Sequence, residues 1–107
     1  MMKQKYDLLC RNHNEQLESL CIKWEMREFA VFGSVLRDDF KEDSDIDCLI
    51  EFSDTANWDL FDIIELKRQL SKIFEREVDV VEKGSVSNPF ILKSIMDNHQ
   101  VLYSSYG

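Results

Sequence analysis

The sequence predicts an α+β fold, a small mixed β-sheet of three to four strands flanked by helices. Short apolar runs at Phe29–Phe32 and Glu77–Val81, and period-two alternation over 45–52, indicate strands. Apolar residues at helical spacing over about 5–25 and over 60–74 alternate with those strands. At 107 residues the chain is long enough for one compact domain and too short for two.

Three helices are predicted. The first rests on the i, i+3, i+4, i+7 spacing of Leu17, Leu20, Cys21 and Trp24. The second covers 60–74 and carries Lys67, Arg68 and Lys72 on its solvent side. The third opens at Asn88-Pro89, because proline is favoured in a first helical turn. Its expected buried side is Phe90, Ile91, Ile95 and Met96.

The strands are bounded by turn residues. The run 29–32 ends at Gly33-Ser34, which predicts a tight turn and then a short helix through Leu36 and Arg37, with Ser34 as its N-cap. A further short strand is expected over 101–103.

Composition restricts the function classes. The formal net charge of −8 disfavours a broad basic surface for direct nucleic-acid binding. Three cysteines without a CxxC pair indicate buried free thiols rather than disulfides or a zinc site. The chain contains neither a signal-peptide core nor an apolar run of membrane-spanning length, so a cytoplasmic location without membrane attachment is expected.

The pair Asp45-Ile46-Asp47 is the first candidate for chemistry. An Asp-x-Asp pattern alone has little specificity, but this one falls on a predicted strand. Residues two apart on a strand point the same way, about 6–7 Å apart. Two carboxylates at that spacing can share a pair of Mg²⁺ ions, while Ile46 faces the core.

Two further features gain meaning only in combination. Gly33-Ser34 is compatible with an ordinary turn and N-cap, or with a helix start that offers N–H groups to a phosphate. Asp79 interrupts an apolar strand, so it either faces outward on an edge strand or joins a charged site, since burying an unpaired carboxylate is costly.

In this combination, Gly33-Ser34 precedes Asp45-x-Asp47 by ten residues, and a strand acid follows at Asp79. The pattern resembles the polymerase-β-type nucleotidyltransferase superfamily, whose hallmark is GS-x10-DxD plus a third carboxylate. The stretch FGSVLRDDFKEDSDIDCLIEF is similar to its minimal nucleotidyltransferase (MNT) group, in which GSxxR precedes SDID. The VDVV strand and the NPFILKSIM and VLY segments agree, so the resemblance covers about 20–105.

The resemblance implies the nucleotidyltransferase fold and a set of roles. Asp45, Asp47 and Asp79 would be catalytic and would bind Mg²⁺ or Mn²⁺, with Asp79 also activating the attacking hydroxyl. The nucleotide ATP would be contacted by Gly33, Ser34 and Arg37, although Arg37 could instead pair with neighbouring acids. The family usually has Gly after this arginine, whereas this chain has Asp38, whose added charge near a triphosphate would weaken nucleotide affinity or turnover.

Minimal domains of this group resemble the antitoxins of HEPN/MNT modules, some of which attach AMP to a tyrosine of a HEPN ribonuclease toxin. The implied partner is therefore a HEPN-type toxin, in a homo- or hetero-oligomer. Two alternatives stay open. The chain could neutralise its partner by contact alone, or it could modify a small molecule once completed by a helical partner.

Overall fold

The computed structural model describes residues 15–36 and 45–105. The described part of the first helix, α1, covers 15–23. The remaining elements are β1 (Met26–Phe32), a 3₁₀ turn (Gly33–Leu36), β2 (Ile46–Phe52), α2 (Leu60–Phe74), β3 (Val78–Glu82), a second 3₁₀ turn (Lys83–Ser85), α3 (Pro89–Asp97) and β4 (His99–Ser104).

The four strands form one mixed sheet in the order β3-β2-β1-β4. Strand β1 is antiparallel to both β2 and β4, whereas β2 and β3 are parallel. Parallel neighbours need a long crossover, and α2 provides it. The predicted α+β fold with a mixed sheet flanked by helices is confirmed.

One face of the sheet packs against α1 and α2 and forms the main core. The four residues that predicted the first helix, Leu17, Leu20, Cys21 and Trp24, are all buried in it. The strands contribute Phe29, Val31, Ile46, Cys48, Ile50 and Val78, and α2 contributes Leu66, Leu70 and Phe74. We call the opposite side of the sheet the open face.

Both ends of α2 agree with the prediction, and each has a local cause. At the start, the Asp59 carboxylate accepts from the Asp62 N–H at 2.8 Å, and the Asp62 carboxylate accepts from the Asp59 N–H at 3.0 Å. This capping box satisfies N–H groups that a helix start leaves without partners. At the end, Glu75 adopts a left-handed conformation with φ of 57°, which stops the helix.

The predicted buried side of α3 is wrong. The helix itself begins as expected, because the Asn88 side chain accepts from the N–H groups of Phe90 and Ile91. However, Phe90 is 83% exposed and Ile91 54% exposed, while Ile95 and Met96 are only half-buried. Amphipathic spacing predicts a face that can be buried, but burial also needs an opposing surface, and no residue of α3 belongs to the main core.

The strands β1 and β4 are longer than their apolar runs. β1 starts at Met26, which pairs with Phe52 of β2. β4 covers His99–Ser104, because its backbone pairing with β1 runs from the Phe32–His99 pair to the Glu28–Ser104 pair.

The predicted free thiols are confirmed for Cys21 and Cys48, both buried, while Cys10 lies outside the described residues. Burial raises the pKa of the Cys21 thiol to about 12. Within the described ranges, no helix has the length and apolarity needed to cross a membrane.

Candidate active site

Two of the predicted carboxylates lie in register on neighbouring strands. Asp47 on β2 is directly opposite Asp79 on β3 in the parallel pairing, and it is opposite Phe32 on its other side. Registered residues on adjacent strands point to the same face, and their strands are about 4.8 Å apart. Because Ile46 and Val78 point into the core, both carboxylates lie on the open face.

The structure combines the two interpretations of Asp79, an outward position on an edge strand and a place in a charged site. β3 is an edge strand of the sheet, and Asp79 is exposed on it. The same residue also joins a charged site, because it stands in register with Asp47.

Gly33 brings the turn after β1 against Asp47. Its φ is +77°, a conformation that residues with a Cβ rarely adopt. A Cβ atom built at this position would collide with Oδ2 of Asp47 and lie 3.4 Å from its Cγ. The backbone conformation favours glycine, and a Cβ at this position would displace the Asp47 carboxylate. The glycine turn and the Asp-x-Asp pair are thus neighbours in space, although ten residues separate the two motifs in sequence.

The other candidate residues, Ser34, Arg37 and Asp45, are not part of this in-register pair of acids. Ser34 lies in the 3₁₀ turn that Gly33 opens, and Arg37 lies outside the described residues. Asp45 is exposed and precedes β2 by one residue, so its predicted place on the strand is corrected. Among residues 15–36 and 45–105, no three acid, histidine or cysteine side chains are grouped closely enough to hold a metal ion.

Lys67 is a residue of this site that the sequence interpretation missed. Its Nζ lies 3.6 Å from Oδ1 of Asp79, with side-chain exposures of 43% and 57%. The lysine is on α2, on the opposite side of the sheet from the open face, so it reaches Asp79 past the edge at β3. In the structure Lys67 directly follows the buried Leu66 and is half-buried itself, so it lies at the border of the solvent side, but the helical pattern alone does not show that it reaches Asp79.

The donor set fits a hard divalent cation. Mg²⁺ and Mn²⁺ prefer carboxylate oxygens, and Asp47 and Asp79 supply them from adjacent rigid strands. Two carboxylates on one face repel each other, and a cation between them relieves that repulsion.

A cavity of about 440 Å³ opens beside the glycine turn. It lies between the end of β1 and the second half of α3, and its lining residues are Phe32, Gly33, Leu36, Ser94, Ile95 and Asn98. The volume is in the range of small-molecule sites. Because Gly33 borders the cavity and also contacts Asp47, the cavity is adjacent to this carboxylate.

Comparison with known proteins identifies relatives over nearly the whole chain. A family model described as "Nucleotidyltransferase domain" matches residues 13–102. A Methanocaldococcus jannaschii protein, provisionally named protein adenylyltransferase MJ0126, is 36% identical over 90 residues, covering 84% of this chain and 87% of that protein. Protein adenylyltransferase MntA of Thermococcus cleftensis is 34% identical over 91 residues, covering 85% of this chain and 84% of its own length.

Solved structures share the fold. A toxin–antitoxin crystal structure with AMP-PNP superposes with a TM-score of 0.70 at 22% identity, covering 88% of this chain and 74% of that chain. A complex of the tri-AMPylated HEPN toxin of Shewanella oneidensis with an MNT antitoxin gives a TM-score of 0.65 at 20% identity, covering 92% and 74%.

Proposed function

The chain belongs to the nucleotidyltransferase domain family and is a nucleotidyltransferase, and we propose that it is an antitoxin that transfers AMP from ATP to a partner protein. The acceptor in this proposal is a hydroxyl group, a tyrosine, on a HEPN-type ribonuclease toxin. The reaction depends on Mg²⁺ or Mn²⁺ and takes place in the cytoplasm.

The observation that carries this proposal is the placement of Asp47 between Gly33 and Asp79. Nucleotidyl transfer needs carboxylates to hold metal, and a backbone that approaches a triphosphate closely. Asp47 stands in register with Asp79 and lies against Gly33, whose positive φ favours glycine. This arrangement supports phosphate chemistry more directly than a protein-binding role, which has no need of two facing acids beside a glycine turn.

Each residue has a proposed task. Asp45, Asp47 and Asp79 would hold the metal, which would supply stabilisation of the negative charge that develops during in-line displacement at phosphorus. The acceptor oxygen attacks the α-phosphorus, the bond to the bridging oxygen breaks, and pyrophosphate leaves. Asp79 accepts the proton of the acceptor hydroxyl.

The nucleotide is held by the segment that follows β1. Gly33 and Ser34 offer backbone N–H groups to the triphosphate, and Arg37 neutralises phosphate charge. The 440 Å³ cavity beside Gly33 is large enough for a nucleoside, so we assign the base and sugar to it.

The partner assignment rests on relatives. MntA of Thermococcus cleftensis carries the name protein adenylyltransferase, and the Shewanella oneidensis complex joins an MNT antitoxin to a tri-AMPylated HEPN toxin. The match extends over 84% of the length of MntA and 74% of the length of the chain from the Shewanella oneidensis complex. An acceptor that brings its own binding surface, in a hetero-oligomer, is the arrangement we propose.

Labelled ATP tests the proposal. The purified chain, Mg²⁺ and the protein encoded by the neighbouring reading frame should give a labelled neighbour, with a mass increase of one or more adenylyl groups. Asp79→Asn should reduce labelling by about 100-fold or more, since removal of a general base or metal ligand typically has that effect. Glu82→Gln is the matched control, because Glu82 is an exposed acid on the same strand, and it should label normally.

The rival function is an antitoxin that acts by contact alone. The observation in its favour is that the Asp79 carboxylate faces Lys67 and no three-carboxylate group is formed among the described residues. Asp38, where the family usually has glycine, points the same way. This rival expects an unlabelled neighbour, together with full neutralisation of the toxin by Asp79→Asn. That pair of results would replace the enzymatic proposal.

A further inference from the structure

The cations on α2 are not equivalent, although in sequence they share one solvent side. Arg68 is held by Glu65, with Nε and Nη2 donating to its two carboxylate oxygens at 2.9 and 2.6 Å. Gln69 donates to the same carboxylate at 2.7 Å. Glu65 thus takes up the charge of Arg68, whereas Lys67 pairs with Asp79 of the active site.

The ammonium group of Lys67 lies close to the carboxylate of Asp79. Its Nζ is 3.6 Å from Oδ1 of Asp79, and Asp79 is in register with Asp47. Both side chains are partly exposed, so the ion pair is weak, contributing about 0–1 kcal/mol. A weak pair can hold a side chain in one orientation and still release it to a stronger cation. Lys67 therefore has the geometry of a removable counter-ion.

We propose that Lys67 is a positioning residue for Asp79, and that it sets the divalent-cation concentration at which the site fills. Its ammonium group orients the Asp79 carboxylate and offsets the repulsion between Asp79 and Asp47. A divalent cation must compete with this ammonium group for Asp79. This inference rests on the proposed function, because it assumes that Asp79 is a metal ligand of the transferase.

The competition between Lys67 and a divalent cation predicts the direction in which cation affinity changes when the lysine is replaced. Removing the lysine charge takes away the ammonium group that lies 3.6 Å from Asp79, which strengthens the attraction of this carboxylate for a divalent cation. Removing the same charge also frees the Asp79 side chain to rotate. Cation affinity should therefore rise, while turnover at saturating cation should fall. A purely structural lysine would not separate these two quantities.

The test measures Mn²⁺ binding to the nucleotide-free protein, from the loss of the free-ion signal in electron paramagnetic resonance. Lys67→Met should bind Mn²⁺ about three- to tenfold more tightly than the wild type, since a unit charge is removed next to the site. Lys67→Arg keeps the charge and should stay within about twofold of the wild type. Lys72→Met removes a lysine from the last turn of the same helix and serves as the matched control, with little expected change.

A double variant separates direct contact from general charge. In the Asp79→Asn background the effect of Lys67→Met on Mn²⁺ affinity should disappear, because the carboxylate for which lysine and metal compete is gone. A persistent effect in that background, or equal shifts for Lys67→Met and Lys72→Met, would overturn the inference. So would unchanged or weaker Mn²⁺ binding by Lys67→Met.

The AMP-transfer assay distinguishes this inference from the function on which it rests. Lys67→Met should reach half-maximal labelling at a lower Mg²⁺ concentration, with a lower maximal rate, and Lys67→Arg should restore both. If wild-type protein binds Mn²⁺ and labels its partner while Lys67→Met behaves identically, the role of Lys67 is wrong and the transferase stands. If wild-type protein neither binds Mn²⁺ nor labels the partner, the transferase itself is wrong.

Discussion

The helices α2 and α3 have similar sequence patterns and different surroundings. Both have apolar residues at helical spacing, and both begin with a side chain that caps the first turn. Helix α2 buries Leu66, Leu70 and Phe74 against the sheet, whereas none of the residues of α3 is buried. The most exposed large apolar side chain of α3, Phe90, has 83% of its surface accessible.

The difference shows that periodicity and burial are separate properties. Periodicity depends on the local chain and predicted both helices. Burial depends on which surface another element leaves available, and here α1 and α2 already cover the core face of the sheet. Helix α3 instead uses its second half to line the cavity next to Gly33. One helix therefore stabilises the fold, and the other borders the site.

The largest expected difference between α2 and α3 is the loss of stability when an apolar side chain is truncated. Leu66→Ala should lower the free energy of unfolding by about 2–5 kcal/mol, because Leu66 is fully buried and its truncation leaves a cavity. Phe90→Ala removes a larger side chain, but one that is mostly exposed, and should change stability by less than about 0.5 kcal/mol. Urea unfolding of the isolated chain measures both. A loss of more than about 2 kcal/mol for Phe90→Ala would mean that α3 is packed after all.

Loss of the N-caps should give a smaller contrast. Asp59→Ala removes half of a capping box and should cost about 1 kcal/mol of global stability, because α2 carries the core. Asn88→Ala removes the cap of α3, but it should mainly increase local opening of that helix. Amide hydrogen exchange checks this: protection should fall across α3 alone for Asn88→Ala, and unfolding midpoints should shift only for Asp59→Ala.

The ion pairs of the two helices should respond to opposite ends of the pH range. Hydrogen bonds from Arg68 and Gln69 lower the pKa of Glu65 in α2 from 4.5 to about 2. A lowered pKa contributes stability above the unfolded value, and that contribution is lost as pH falls from about 4.5 toward 2. In α3 the hydrogen bond to Asp97 raises the pKa of Lys93 above 10.5, so its contribution is lost as pH rises through the alkaline range.

Both groups are exposed, so these effects should be small and sensitive to salt. Glu65→Gln should flatten the acid side of the stability profile, and Lys93→Met should flatten the alkaline side. The measurement is the unfolding midpoint in urea across the pH range. A change on the alkaline side for Glu65→Gln, together with a change on the acid side for Lys93→Met, would refute the assignment of the two pairs.

The sequence predicted most of what depends on the local chain. The bounds of α2 agree with the apolar spacing, and a strand is formed around Asp79 where the apolar run predicted it. The ends of β1 and β4 were missed because backbone pairing, rather than side-chain polarity, extends them. Lys67 was read as a solvated residue because a helical pattern does not reveal which residue of another strand lies within reach of a long side chain.

The parallel register of β2 and β3 has a consequence for how this site can change over time. Side chains alternate along a strand with a period of two, so a slip by one position would turn Asp79 inward and set Val78 or Val80 beside Asp47. An insertion or deletion in the crossover can therefore erase the acid pair without replacing either acid. The number of residues between the two strands therefore constrains the active site, and a deletion in that segment is expected to be as damaging as a substitution at Asp79 itself.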